Sequence, residues 1–103
     1  MSNGIVWVID DDKSIRWVLE RALHKVEVEV VTFNNAHTAL AQLDAAIPSV
    51  IVTDIRMPQM DGLTLLEQLR HLHPHIPVII MTAYSDFEST VSAYQKGAFE
   101  YLS

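Results

Sequence analysis

The sequence predicts an α/β fold, a doubly wound parallel sheet of five strands with helices on both faces. Three observations predict it. Short apolar runs of strand length alternate with stretches whose apolar residues recur at helical spacing. The joints between them are brief and carry Pro, Gly, Asn or Asp. Acidic residues gather where the first and third apolar runs stop, Asp10-Asp11-Asp12 and Asp54. Strands alternating with helices over short connections call for parallel pairing and right-handed crossovers.

Each element follows from its own pattern. Ile5-Val6-Trp7-Val8-Ile9 is a continuous apolar run, as expected for a strand covered on both faces. From Ser14 onward Ile15, Val18, Leu19, Ala22 and Leu23 recur at helical spacing, with Arg16, Glu20, Arg21 and Lys25 mostly on the other side. Asp12 or Ser14 serves as the N-cap. Residues 26–33 alternate, with Glu27 and Glu29 set between Val26, Val28 and Val30, which predicts a strand with one wet face near a sheet edge. Asn34 and Asn35 break it. Ala36, Leu40, Ala41 and Leu43 mark a short second helix ended by Pro48, because the residue before a proline avoids the helical region. Residues 50–53 form the third strand.

Residues 55–62 read as a loop by Pro58 and Gly62. Leu63, Leu66, Leu69 and Leu72 then define a third helix that closes at His73-Pro74. Residues 77–82 make the fourth strand, with proline tolerated at its start. Residues 86–96 make a fourth helix that carries Val91 and Tyr94 inward and stops at Gly97 in a C′ position. Residues 98–102 begin the fifth strand.

Composition limits what this scaffold can do. At 103 residues and 50% hydrophobic content the chain fits one domain, residues 1–103, with an ordinary globular interior. Its longest apolar stretches are strand-sized, so no membrane span is expected. Met1-Ser2-Asn3-Gly4 lacks the basic and apolar regions of a signal peptide, and the chain has no cysteine; together these predict a cytoplasmic setting. Thirteen acidic against seven basic residues give a net charge of -6, which disfavours nucleic acid as a direct partner and suits a cation or a basic protein face.

The acidic sites carry the functional expectation. In an open parallel sheet the carboxyl ends of neighbouring strands share one edge, and ligands bind there. Asp10, Asp11, Asp12 and Asp54 would therefore converge there, repel one another and titrate abnormally unless a cation joins them. A hard divalent ion with oxygen ligands is the natural partner. Asp12 has two readings, a further ligand or a helix cap. His24, His37, His71, His73 and His75 are surface histidines, since the closely spaced three straddle a helix end and Pro74. Met57 and Met60 are expected to pack.

Four segments together resemble a response-regulator receiver domain: Val8-Ile9-Asp10-Asp11-Asp12, Thr53-Asp54-Ile55-Arg56-Met57-Pro58-Gln59-Met60-Asp61-Gly62, Met81-Thr82-Ala83 and Gly97-Ala98-Phe99-Glu100-Tyr101-Leu102. The resemblance covers nearly the whole chain. It implies a flavodoxin-like sheet of order 2-1-3-4-5 and transfer of a phosphoryl group from a sensor histidine kinase onto Asp54. It further implies Mg²⁺ held by Asp11 and Asp54, by Asp10 through water, and by the main-chain carbonyl of Arg56. Thr82 and the amide of Ala83 would donate to the phosphoryl oxygens, and Tyr101 would be the aromatic that changes rotamer when Thr82 moves; as a residue in itself, Tyr101 reads equally well as half-buried packing. A longer parent protein would carry ATPase and DNA-binding output domains and use the receiver to control transcription. Such a domain is a phosphoacceptor, not a conventional turnover enzyme.

The pattern also expects a lysine one position beyond Ser103, a proline at Ser103 itself and a fifth helix, so the chain reads as a receiver truncated before that helix. Apolar surface on the side of the first helix is then expected to be exposed, inviting a homodimer. A non-catalytic interaction domain derived from a receiver is the alternative function. An aspartate-nucleophile phosphatase, suggested by the spacing of Asp10 and Asp12, needs a cap and downstream residues for which 103 positions leave no room. A flavin carrier would want Ser, Thr and Gly donors where this loop has acids.

Overall fold

The structure, a computed structural model, describes residues 4–81 and the backbone of 100–102. Five strands form one parallel sheet: β1 (Ile5–Ile9), β2 (Glu29–Phe33), β3 (Val50–Asp54), β4 (Val78–Met81) and β5 (Glu100–Leu102). Their order is β2-β1-β3-β4-β5, as the family pattern implies. Three helices lie among the described residues: α1 (Lys13–His24), α2 (Ala36–Gln42) and α3 (Gly62–Leu72). The fourth helix expected over 86–96 lies outside them.

Strand order decides which helix covers which face. The chain leaves β1 for β2 in one direction and then returns past β1 to β3 and on to β4. Right-handed crossovers therefore put α1 on one face and α2 and α3 on the other. The register agrees. Trp7, Ile51 and Val78 stand side by side, as do Phe33, Ile9, Thr53 and Ile80, and alternate residues share a face. This face builds the core with Ala36, Ala39 and Leu43 from the α2 segment and Leu65, Leu66 and Leu69 from α3. Trp7 and Phe33 meet with ring centroids 4.8 Å apart, tilted by 58°. Such tilted aromatic pairs contribute beyond their buried area.

Several boundaries differ from the expected ones for local reasons. The second strand starts at Glu29, three residues later than predicted. Val26 donates to Leu23 O and Glu27 to His24 O, each at 3.1 Å, and Glu27 takes φ 61, so a helix-end turn claims these residues before the sheet can. The predicted edge position holds, and Glu29 and Val31 on β2 are exposed. The second helix ends at Gln42, well before Pro48, because Ala45 and Ala46 both turn back to Gln42 O. The third strand extends to Asp54, which pairs with Met81.

The apolar stripe of α1 is the larger correction. None of its residues is buried: Ile15 and Val18 are exposed, Ala22 likewise, and only Arg16, Leu19 and Leu23 are half-buried. Trp17 is 56% exposed, with the Arg21 guanidinium 4.7 Å from the centre of its ring. The expected exposure of apolar surface on this flank is therefore present. In α3 the inward set is Leu65, Leu66 and Leu69, while Leu72 is exposed. Leu72 follows the last buried turn, where the chain bends away at His73.

Candidate functional site

Asp10 directly follows β1 and Asp54 is the last residue of β3, the two strands at which the connection reverses direction. The crevice at such a switch point lies outside the carboxyl ends of the strands. Asp10, Asp11 and Asp54 each bring a carboxylate oxygen there, and these atoms all lie within 4.8 Å of one another. Their burial is graded: Asp10 is 4% exposed, Asp54 half-buried and Asp11 exposed. All donors are oxygens, which suits a hard divalent cation. No other group of three potential metal ligands occurs among the described residues. His24, His37, His71 and His75 are exposed and His73 half-exposed, in keeping with surface histidines. Met57 is buried in the core and Met60 packs against it.

Backbone contacts hold each acid in place. The Asp12 amide donates to Asp10 Oδ1 at 2.8 Å. The Asp12 side chain points elsewhere, accepting from the amides of Ser14 at 2.8 Å and Ile15 at 3.3 Å as the N-cap of α1. Of its two readings, the side-chain contacts of Asp12 match the cap. Arg16 Nη1 donates to the carbonyl oxygen of Asp10 at 2.6 Å, and the Asp10 amide donates to Phe33 O at 3.1 Å. Asp54 Oδ1 accepts from the Ile55 amide at 2.9 Å.

Electrostatics records the strain of this gathering. Burial, with smaller additions from the charges of Asp54, Asp11 and Asp12, pushes the Asp10 carboxyl up to about 6 against the opposing hydrogen bond from Asp12. Burial also raises Asp54, and Asp11 adds to it, while the amides of Ile55 and Arg56 and the Arg56 charge pull the other way. Removing charged oxygens from water without a counter-charge is unfavourable, and a bound cation would reverse the sign of that effect.

Three residues at the site look ordinary in the sequence. Arg16, assigned to the solvent side of α1, reaches back one turn to the end of β1; its place four residues after the cap Asp12 was the available signal. Thr53, taken as a strand residue, is fully buried and its hydroxyl donates to Asp54 O at 3.0 Å. Gly62, taken as a loop former, is the first residue of α3, and a Cβ there would overlap the Asp54 carbonyl oxygen. Arg56 is exposed in the loop after β3. Thr82 and Ala83 lie outside the described residues, and of Tyr101 only the backbone, within β5, is described.

Comparison with known proteins places this geometry. The family model for the response regulator receiver domain matches residues 6–103. The chain is 59% identical over 102 residues to the DNA-binding transcriptional regulator NtrC of Salmonella typhimurium, covering 99% of this chain and 22% of that protein. It therefore spans 22% of the length of that relative. Among solved structures, the BeF3-activated receiver domain of nitrogen regulatory protein C is similar with a TM-score of 0.82 and 59% identity, covering 99% of this chain and 82% of that one. The response regulator protein TrrA from Thermotoga maritima, in complex with Mg(2+)-BeF, is similar with a TM-score of 0.87 and 29% identity, covering 99% and 85%. With a switch-point acidic cluster on a sheet of this order and a family match over nearly its whole length, the chain belongs to the response regulator receiver domains, and its sequence is of the NtrC type.

Proposed function

We propose that this receiver takes a phosphoryl group onto Asp54 from a sensor histidine kinase. The observation that carries the reading is the convergence of Asp10, Asp11 and Asp54 at the strand ends, with ligand atoms within 4.8 Å of one another. Asp54 is the nucleophile by its place at the end of β3, directly before Ile55-Arg56-Met57-Pro58. One of its carboxylate oxygens bonds to phosphorus while the phosphorus–nitrogen bond of a phosphohistidine breaks. The imidazole nitrogen leaves with the electron pair and takes a proton from solvent.

Mg²⁺ fits the donor set, since it keeps several waters and asks for only one or two carboxylates besides substrate oxygens. Asp11 and Asp54 would hold it directly, Asp10 through water, and the main-chain carbonyl of Arg56 would complete the protein ligands. When bound, the ion neutralises the repulsion between the attacking carboxylate and the phosphoryl group. The Mg(2+)-BeF complex of TrrA supports this choice. The protein's own residues do the positioning: the Ile55 amide holds one oxygen of Asp54, and the Asp12 amide holds Asp10. By their motif, Thr82 and the amide of Ala83 donate to the phosphoryl oxygens, and Tyr101 is the aromatic that answers Thr82.

In a longer parent resembling NtrC, the phosphorylated receiver acts on ATPase and DNA-binding output domains, in the cytoplasm, to regulate transcription in response to nitrogen supply. No helix among the described residues is long and apolar enough to cross a membrane. The test is labelling with acetyl phosphate in the presence of Mg²⁺, followed by mass-spectrometric mapping. One phosphoryl group on Asp54, abolished by Asp54→Asn and by a chelator, is the expected result. A phosphoryl group mapped to Asp10 or Asp12 overturns the assignment.

A further inference from the structure

We infer that Thr53 and Gly62 are positioning residues that orient the Asp54 carboxylate by pinning the peptide between Asp54 and Ile55. The inference rests on the reading that Asp54 is the phosphoryl acceptor, and it names what aims that side chain.

The peptide unit 54–55 is held at both ends. At its carbonyl end the Thr53 hydroxyl donates to Asp54 O at 3.0 Å. The Cα of Gly62 closes on the same carbonyl so tightly that a Cβ would overlap the oxygen and lie 2.9 Å from both Asp54 C and Ile55 Cα. All three obstacles are backbone atoms, so no side-chain movement could make room. At its other end the Ile55 amide donates to Asp54 Oδ1 at 2.9 Å. A peptide is planar and rigid. Whatever fixes the direction of the Asp54 carbonyl therefore fixes the direction of the Ile55 N–H, and with it the rotation of the carboxylate that the N–H holds.

Gly62 can act as a stop because it is itself anchored. Its amide donates to Ile55 O at 2.8 Å, the Asp61 side chain caps α3 through the Thr64 amide at 2.8 Å, and Leu65, Leu66 and Leu69 lock the helix into the core. Thr53 has a second argument from its surroundings. In register it stands between Ile9 and Ile80 on the buried face, where valine has the same shape and carries no buried hydroxyl to satisfy. A polar group in that row is explained by the carbonyl it holds. The aim matters because the nucleophile must meet phosphorus in line, and small misplacements of a reacting group are costly in rate.

The experiment compares the wild-type chain with Thr53→Val, Thr53→Ser and Gly62→Ala. Labelling by acetyl phosphate at saturating donor is followed by intact mass, Mg²⁺ affinity by tryptophan fluorescence, and the Ile55 amide by ¹⁵N NMR. Thr53→Val should fold, bind Mg²⁺ within about twofold of wild type, and label about tenfold more slowly. Thr53→Ser should restore the rate, because it returns the hydroxyl and not the packing. The Ile55 amide resonance should move upfield, toward a weaker hydrogen bond, in Thr53→Val and stay in place in Thr53→Ser. Wild-type labelling rates in Thr53→Val, or an unmoved Ile55 amide, overturn the inference. So does a Thr53→Ser protein as slow as Thr53→Val. Should Gly62→Ala fail to fold, the threonine pair still decides. If wild type does not label and the Ile55 amide nevertheless moves as expected, the clamp stands and the acceptor reading falls.

Discussion

Asp12 donates its amide to Asp10 Oδ1 at 2.8 Å while its own carboxylate turns away to cap α1. Two acids of identical chemistry, two residues apart, are thereby split between an inward site and an outward structural task. Asp11 stays with the cluster, its ligand atom within 4.8 Å of those of Asp10 and Asp54.

The split predicts opposite phenotypes for neighbouring substitutions. Asp11→Asn should weaken Mg²⁺ binding about tenfold or more and leave stability unchanged or slightly raised, since it relieves repulsion. Asp12→Ala should cost about 1 kcal/mol of stability through the lost cap and leave Mg²⁺ affinity within about threefold. Calorimetric Mg²⁺ titrations and urea unfolding of both variants check this. Equal losses of affinity would put Asp12 in the metal shell after all.

Asp10 predicts a pH dependence in the absence of divalent ions. Its folded carboxyl, at about 6, lies above its ordinary 3.8, so the folded chain holds the proton more tightly than the unfolded one. That contribution to stability is complete below the unfolded value and is lost as pH rises through the folded one. Unfolding free energy should therefore fall between about pH 4 and about pH 7 by an amount on the order of 2 kcal/mol that Asp10→Asn removes. Adding Mg²⁺ at neutral pH should recover stability in wild type. A wild-type profile parallel to that of Asp10→Asn would contradict the burial argument.

Arg16 ties α1 to the end of β1 through the Asp10 carbonyl at 2.6 Å. Arg16→Met keeps the aliphatic stem and removes the donor. A hydrogen bond from a charged group contributes roughly 1.5–3 kcal/mol, and the partial exposure of this one places the expected loss at the low end. Because the same carbonyl belongs to a ligand residue, Mg²⁺ affinity should drop a few-fold alongside. Thermal unfolding and the Mg²⁺ titration read the two effects separately, and a change in neither would make this contact incidental.

The two tryptophans predict a contrast. Trp7 is 2% exposed and meets Phe33 ring against ring at a tilt, whereas Trp17 is 56% exposed and meets the Arg21 guanidinium. Trp7→Ala should cost roughly 3–5 kcal/mol and Trp17→Ala no more than about 1 kcal/mol. Emission of the Trp17→Ala protein, which reports Trp7 alone, should be blue-shifted relative to that of a Trp7→Phe protein. Comparable stability losses would mean that α1 buries its outer face in solution.

The alternation of strand and helix, the parallel sheet and the acids at the ends of β1 and β3 were legible in the sequence, because periodicity and strand-end chemistry are local properties of neighbouring residues. Ile5–Ile9 and Val50–Asp54 declare themselves by continuous apolarity, and the strand order followed from the resemblance carried by the motifs around Asp10 and Asp54. Tertiary structure decided what depends on residues distant in sequence or on direction in space. It turned Asp12 outward and Arg16 inward, left Val18 exposed on a helix whose pattern promised burial, and delayed the start of β2 to Glu29 because a helix-end turn took Val26 and Glu27 first. Above all it brought Gly62 onto the Asp54 carbonyl and left no space for a side chain. A glycine in a loop announces only that the backbone is free to bend; which carbonyl it must lie against is set by the packing of α3 on β3, and that distance exists only once the core has closed.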